Sequence, residues 1–147
     1  MKTEIVIRTA NIEEVVQLTR CLPEFEQPYR QEEYHKRLSH TPHLLLVAEA
    51  DGKVVGCKVG YEREQDGSFY SWIGGVLPAY RRQGIARLLA RAQEDWARSQ
   101  GYRRIRFKTR NCHRNMLRFA LSNGFYLTAV EPRDDWQQTR IWLQKEL

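Results

Sequence analysis

The 147-residue sequence predicts a mixed α/β fold, and three observations carry that prediction. Short runs rich in β-branched and aromatic residues alternate with stretches whose apolar residues recur at helical spacing. Two Asp-Gly pairs, Asp51-Gly52 and Asp66-Gly67, adjoin β-rich runs where the chain must turn. From Gly84 onward the apolar pattern changes from strand to helix period. No Pro/Gly/Ser-rich linker, repeat or low-complexity block interrupts the chain, so residues 1–147 read as one domain.

Each element follows in order. Residues 4–8 (EIVIR) alternate as a short strand. Asn11 is placed to cap a helix whose Ile12, Val15, Val16 and Leu18 fall near helical spacing. The acidic, aromatic stretch after Pro23 reads as a loop followed by a helix over residues 31–38. Residues 44–50 (LLLVAEA) and 54–62 (VVGCKVGYE) predict a hairpin across Asp51-Gly52-Lys53, and residues 69–76 (FYSWIGGV) predict the next strand. Ile85, Leu88, Leu89, Ala92 and Trp96 mark one face of an amphipathic helix, with Gly101 as its stop. Residues 105–109 (IRFKT) alternate as a strand. Met116, Leu117, Ala120 and Leu121 mark a helix closed by Gly124, and residues 125–130 and 139–144 give two last strands. The resulting order is β-α-α-β-β-β-α-β-α-β-β, antiparallel at its start.

Composition narrows the class. Hydrophobic residues make up 41% and charged residues 29%, a balance that buries a core and argues against disorder. The longest uncharged apolar run, residues 43–48, is far short of the ~20 residues that span a bilayer. Acidic residues in the first fourteen positions interrupt the apolar stretch an export signal needs, which points to the cytoplasm. Cys21, Cys57 and Cys112 are odd in number and lack CxxC spacing, so neither a disulfide framework nor a zinc site is expected. They read as buried small residues. His35, His40, His43 and His113 have no metal-ligand spacing, and no metal is expected. The net charge of +6, from 24 Lys and Arg against 18 Asp and Glu, favours anionic partners. Basic residues crowd the stretch from Arg81 to Arg118, whereas Glu24, Glu26, Glu32 and Glu33 make an early segment acidic.

The segment from Val76 to Ala86 carries the chemistry. A strand runs through a Pro-containing turn and two arginines to a glycine at the start of an amphipathic helix. The first N–H groups of a helix lack intrahelical partners and lie at its positive end, an arrangement that binds phosphate. Gly84 admits a close approach, Ala86 keeps it open, and Arg81 and Arg82 add charge. Arg81-Arg82-Gln83-Gly84-Ile85-Ala86 resembles the Gln/Arg-x-x-Gly-x-Gly/Ala signature of the GNAT family of N-acetyltransferases. The resemblance extends to residues 5–14, to the hairpin around Asp51–Gly56, and to residues 116–125, which end in Gly-Phe.

That resemblance implies the GNAT acyl-CoA N-acyltransferase fold, a central twisted mixed sheet of about seven strands flanked by about four helices. It implies acetyl-CoA as cosubstrate. Two parallel strands, residues 69–76 and 104–109, would splay apart and take the pantetheine arm along Val76 and Leu77 as an added strand. Gly74 and Gly75 fit a bulge approached by that ligand. Amides of Gln83, Gly84, Ile85, Ala86 and Arg87, with Arg81 and Arg82, would hold the pyrophosphate, and Asn111 or Asn115 would touch the pantetheine.

The implied reaction is attack of a primary amine on the thioester within a ternary complex. The amine, with a pKa of about 10, must first lose a proton; the Val76 N–H would hold the oxyanion; and the leaving thiolate needs a proton donor. The sequence departs from the family at both proton-transfer positions. Tyr70 stands where many members have a Glu base, leaving Glu62 and Glu64 on the neighbouring strand as substitutes. Ala120 stands where many have a Tyr acid, leaving Tyr126, Asn115 or a water. His113 is a base by type but more often surface decoration. Glu24, Glu26, Tyr29 and Glu33 would suit a cationic acceptor, a small basic amine or the lysine or amino terminus of a peptide. Two alternatives stand beside this reading: a non-catalytic acyl-CoA-binding module of the same fold, and a basic nucleic-acid binder, which no RNA or DNA motif favours. Exposed strand edges would allow a homodimer.

Overall fold

The structure is a computed structural model describing residues 3–147; Met1 and Lys2, the start of the stretch read against an export signal, lie outside it. Among the described residues are seven strands and four α-helices, as the resemblance implies. β1 (Ile5–Thr9) leads to α1 (Ile12–Thr19), whose cap is reciprocal: Asn11 Oδ1 accepts from the Glu14 N–H at 2.9 Å, and Glu14 Oε1 accepts from the Asn11 N–H at 3.2 Å. α2 (Gln31–Leu38) follows. β2 (His43–Ala50) and β3 (Lys53–Tyr61) form the hairpin, with Asp51 and Gly52 both at positive φ (50° and 82°), as a tight primed turn demands.

β4 (Ser68–Val76) pairs antiparallel with β3 and parallel with β5 (Arg104–Arg110). A parallel pair needs a long crossover, and α3 (Ile85–Ser99) supplies it. α4 (Arg114–Ser122), β6 (Tyr126–Glu131) and β7 (Arg140–Glu146) complete the chain. The sheet order is β1-β2-β3-β4-β5-β7-β6. On one face Val15 of α1 and Tyr34 and Leu38 of α2 pack with Val47 and Val59 of the sheet; on the other, Ile85 and Leu89 of α3 pack with Leu46, Val55, Phe69 and Ile105. α4 covers the same side of β5 and β7 through Leu117 and Ala120 against Phe107 and Leu143.

Some sequence expectations need correction. The bulge in β4 falls at Trp72, between the pairs Val59–Ile73 and Gly60–Ser71; Gly74 and Gly75 pair regularly with Lys58 and Cys57. It turns Trp72 and Ile73 toward the α1/α2 face together. Gly75 is required for another reason: a Cβ there would sit 2.6 Å from Leu22 Cδ1 and 3.1 Å from Glu24 Oε1. Leu88 is 40% exposed and lies off the buried stripe of α3. Of the cysteines only Cys57 is buried, which pushes its thiol up to about 12; Cys21 and Cys112 are exposed. No helix among the described residues is long and apolar enough to cross a membrane.

Candidate functional site

β4 and β5 pair only at Ser68–Arg104, Phe69–Ile105 and Tyr70–Arg106. Beyond that rung β4 runs on to Val76 and β5 to Arg110 with no pairing between them, so the sheet opens into a gap. The Leu77 N–H donates to Val55 O at 2.8 Å, which makes Val76–Gly56 a pair without mutual hydrogen bonds. The Val76 N–H and C=O therefore point into the gap, as do those of Gly74 two residues earlier in the regular ladder. Leu77 differs: its N–H is committed to Val55.

At the end of β4 a short 3-10 turn, Pro78–Tyr80, feeds the loop before α3. Arg82 (φ 63°) and Gly84 (φ 80°) are both left-handed, and Gly84 caps α3 with no side chain bonded to its first turn. Ile85 anchors the turn in the core at 1% exposure, while Gln83, Gly84, Ala86 and Arg87 face solvent. The α3 N-terminus thus presents uncapped amides at the mouth of the gap.

The two arginines of the loop behave differently. Arg81 turns back: its Nε donates to Val76 O at 3.0 Å and its Nη2 to Glu24 Oε2 at 2.8 Å. It braces the loop, and it neutralises one of the carboxylates expected to meet a cationic acceptor. Arg82 is exposed and forms no ion pair among the described residues. Glu33 is likewise occupied, 2.9 Å from Arg37 Nε, which holds its carboxyl below the usual range. Glu26 is exposed, and Tyr29 packs against Trp72 with ring centroids 5.1 Å apart. Asn111 does not cap α4, which begins after His113; its Nδ2 donates to Trp136 O at 3.2 Å. Asn115 lies exposed in the first turn of α4. Burial and nearby Arg110 hold the His113 imidazole below its ordinary value.

The acid–base candidates separate clearly. Burial pushes the Tyr70 phenol up to about 12, so it is protonated at neutral pH and no base. Glu62 follows Tyr61 onto the opposite face and acts on the Tyr102 hydroxyl, away from Tyr70. Glu64 is exposed and lines a cavity of about 110 Å³ with Arg63, Ser68, Tyr70, Arg106 and Trp142, at the rung where the gap begins. Tyr126 is 77% exposed on β6, which β7 separates from β5; two strand spacings put it about 10 Å from the gap's β5 wall. It does not take the place of a tyrosine at Ala120, which is itself buried at 1% exposure. Among the described residues no three His, Cys, Asp or Glu side chains are grouped to hold a metal ion.

One residue carries chemistry that the sequence analysis missed. Lys58 leans over Gly74, its Nζ 3.5 Å from where a Cβ would stand on that glycine. Burial lowers its pKa, opposed by the charge of Glu94 on α3. Its signal in the sequence, a lysine at an inward position between Cys57 and Val59, is legible only once β3–β4 register is known.

This chain matches the acetyltransferase (GNAT) family over residues 12–125. It is 35% identical to an acetyltransferase of Sodalis glossinidius (strain morsitans) over 109 residues, 71% of this chain and 73% of that protein. The ribosomal-protein-S18-alanine N-acetyltransferase from Escherichia coli superposes with a TM-score of 0.82 at 15% identity, covering 97% of this chain and 94% of that one. The yncA protein from Salmonella typhimurium, solved with its cofactor acetyl-CoA, gives a TM-score of 0.75 at 20% identity, with coverage of 97% and 94%. At such identities the structural likenesses speak for the fold alone. The match in sequence spans most of the chain and says more: this protein belongs to the acetyltransferase (GNAT) family.

Proposed function

We propose that the protein transfers the acetyl group of acetyl-CoA to a primary amine by direct attack in a ternary complex. The observation that carries this reading is the gap beyond Tyr70–Arg106, whose unpaired Gly74 and Val76 N–H groups lead to the uncapped N-terminus of α3. The gap fits an extended pantetheine arm added as a strand beside β4. The amides of Gln83, Gly84, Ile85, Ala86 and Arg87 fit the pyrophosphate, with Arg82 adding charge and Arg81 bracing the loop. Leu77 contributes side-chain contact only, and Asn111, just past the end of β5, and Asn115, in the first turn of α4, are the asparagines that would meet the pantetheine.

Acetyl-CoA supplies an activated thioester, and the chain orients it. The amine nitrogen attacks the carbonyl carbon, the C–S bond breaks, the amine gives up a proton and the thiolate takes one. The Gly74 N–H, nearer the closed Tyr70–Arg106 rung, stabilises the oxyanion and leaves the Val76 N–H to the pantetheine arm. Glu64, at the cavity beside Tyr70, accepts the amine's proton through water. The Lys58 ammonium, on the α3 face of the gap, stands in for the absent tyrosine as donor to the thiolate.

One continuous sheet across the described residues supports a one-domain protein, and three unpaired cysteines support a reducing, cytoplasmic setting. The edge strand β6, exposed along its length, supports pairing of two copies. Tyr70 and Ala120 favour one second reading, an acyl-CoA-binding module without turnover. Thiol release from acetyl-CoA across a panel of amines decides: amine-dependent release is expected, and retained binding with no release for any amine would favour the module.

A further inference from the structure

The α1/α2 face of the gap is cationic and aromatic rather than acidic. Trp142 is flanked by Arg106 (5.0 Å from the ring centroid), Lys108 (5.4 Å) and Arg63 (5.5 Å), and Arg63 also lies 5.0 Å from the Tyr70 ring. An aromatic face holds a guanidinium flat and leaves its N–H edge free to bind. These charges have few partners of their own; the Asp66 carboxylate feels Arg106 together with Arg104 but makes no ion pair with it among the described residues. The nearest carboxylate, Glu64, stands 4.0 Å from Arg63 Nε and is 57% exposed. Arg106 has no ion pair among the described residues, and its Nε is buried without an acceptor. Lys108 shows the same crowding: burial and the charges of Arg63, Arg140 and Arg37 lower its pKa against the pull of Glu131. By contrast, Glu24 and Glu33 are already neutralised by Arg81 and Arg37.

Arg63, Arg106, Tyr70 and Trp142 meet at the cavity of about 110 Å³, on the last rung before the gap. A buried donor without an acceptor is costly, and a planar carboxylate satisfies a guanidinium edge with two charge-assisted bonds. The volume suits a carboxylate and a few carbons. We propose that this cavity binds the carboxylate of the acceptor, and that the acceptor is a small amine of the amino-acid class, its amino group directed into the gap. The inference rests on the acetyl-transfer reading of the gap. It replaces the cationic acceptor expected from Glu24, Glu26, Tyr29 and Glu33, and it bears on the missing base. The cations that the bound carboxylate leaves unpaired, Lys108 among them, still disfavour an ammonium in the gap, so the amino group loses its proton more readily and the exposed Glu64 suffices to accept it.

The test uses product-like ligands and needs no turnover. The whole protein is titrated with a set of N-acetyl amino acids and with their uncharged carboxamides, with CoA present, following tryptophan fluorescence. At least one acid should bind tenfold or more tighter than its amide, and Arg106→Gln should abolish that preference while Arg106→Lys restores part of it. Calorimetric binding of CoA and thermal melting of each variant are measured in parallel. If every acid binds no better than its amide, or if the preference survives in folded Arg106→Gln and Arg63→Gln, the carboxylate site is overturned. Failure of CoA to bind the wild-type protein would instead overturn the acetyl-transfer reading, so the two failures are distinct.

Discussion

Tyr70 and Arg106 are the last paired residues of β4 and β5. Up to that rung the sheet is continuous; past it the strands part, and the backbone groups of Gly74 and Val76 face an open gap. The same two side chains line the cavity on the acceptor face. One rung therefore marks both where a cofactor arm begins to fit and where the second substrate would stand.

The loop before α3 depends on Gly84, whose φ of 80° a β-branched residue resists, although a Cβ there would meet nothing within 4 Å. Gly84→Val is expected to weaken acetyl-CoA binding tenfold or more while destabilising the protein by only about 1–2 kcal/mol. Calorimetry and thermal denaturation check the two effects separately. Val76→Asp is a poorer probe, because Val76 packs at 7% exposure in the core beneath α3 and a carboxylate there would unfold the protein.

Gly60 is a packing requirement. A Cβ at that position would lie 2.3 Å from Phe69 Cε2 and 2.8 Å from Tyr70 O, and the second contact is backbone. Gly60→Ala should lower stability by about 1–3 kcal/mol, read from chemical denaturation. A variant as stable as the wild type would contradict the tight β3–β4 contact beneath Gln93.

Alkaline pH should unfold the protein by way of its buried phenols. Burial raises the Tyr34 phenol well above its ordinary value and takes Tyr70 up to about 12. Each stays protonated in the folded state at pH values where the unfolded chain ionises. Their contribution is complete below pH 10; that of Tyr70 is lost as pH rises from about 10 to 12, and that of Tyr34 goes on falling beyond. Ultraviolet titration should show these phenols ionising only with unfolding; ionisation near pH 10 in the folded protein would contradict their burial.

Lys58→Met should reduce amine-dependent thiol release by about 10²-fold or more, with acetyl-CoA affinity retained. The pH profile gives the more specific readout. In the wild type, activity should fall at alkaline pH as the ammonium, whose pKa lies below that of a free lysine, loses its proton. The variant should lack that limb.

Much of this was legible in the sequence because local chemistry and fold agree. Asn11 announces a cap, Asp51-Gly52 a hairpin turn and Gly84 the start of a helix; each is decided by neighbours in the chain. What stayed hidden depends on register and on pairing across the sheet. The β4 bulge falls at Trp72 because of how β4 opposes Val59 and Gly60, which the Gly74-Gly75 pair does not reveal. Glu24 suits a cationic amine until Arg81, 57 positions away, is seen to neutralise it. Lys58 and Arg106 carry no motif; one gains meaning from lying over Gly74, the other from a buried Nε beside Trp142.

Calorimetric titration of the protein with acetyl-CoA, with CoA and an RNA oligomer as comparisons, tests the central claim most directly. Saturable one-to-one binding of acetyl-CoA in preference to RNA is the result this structure predicts. Absence of acetyl-CoA binding by the folded protein, or tighter binding of the RNA, would contradict it and leave the gap beyond Tyr70–Arg106 without its assigned occupant.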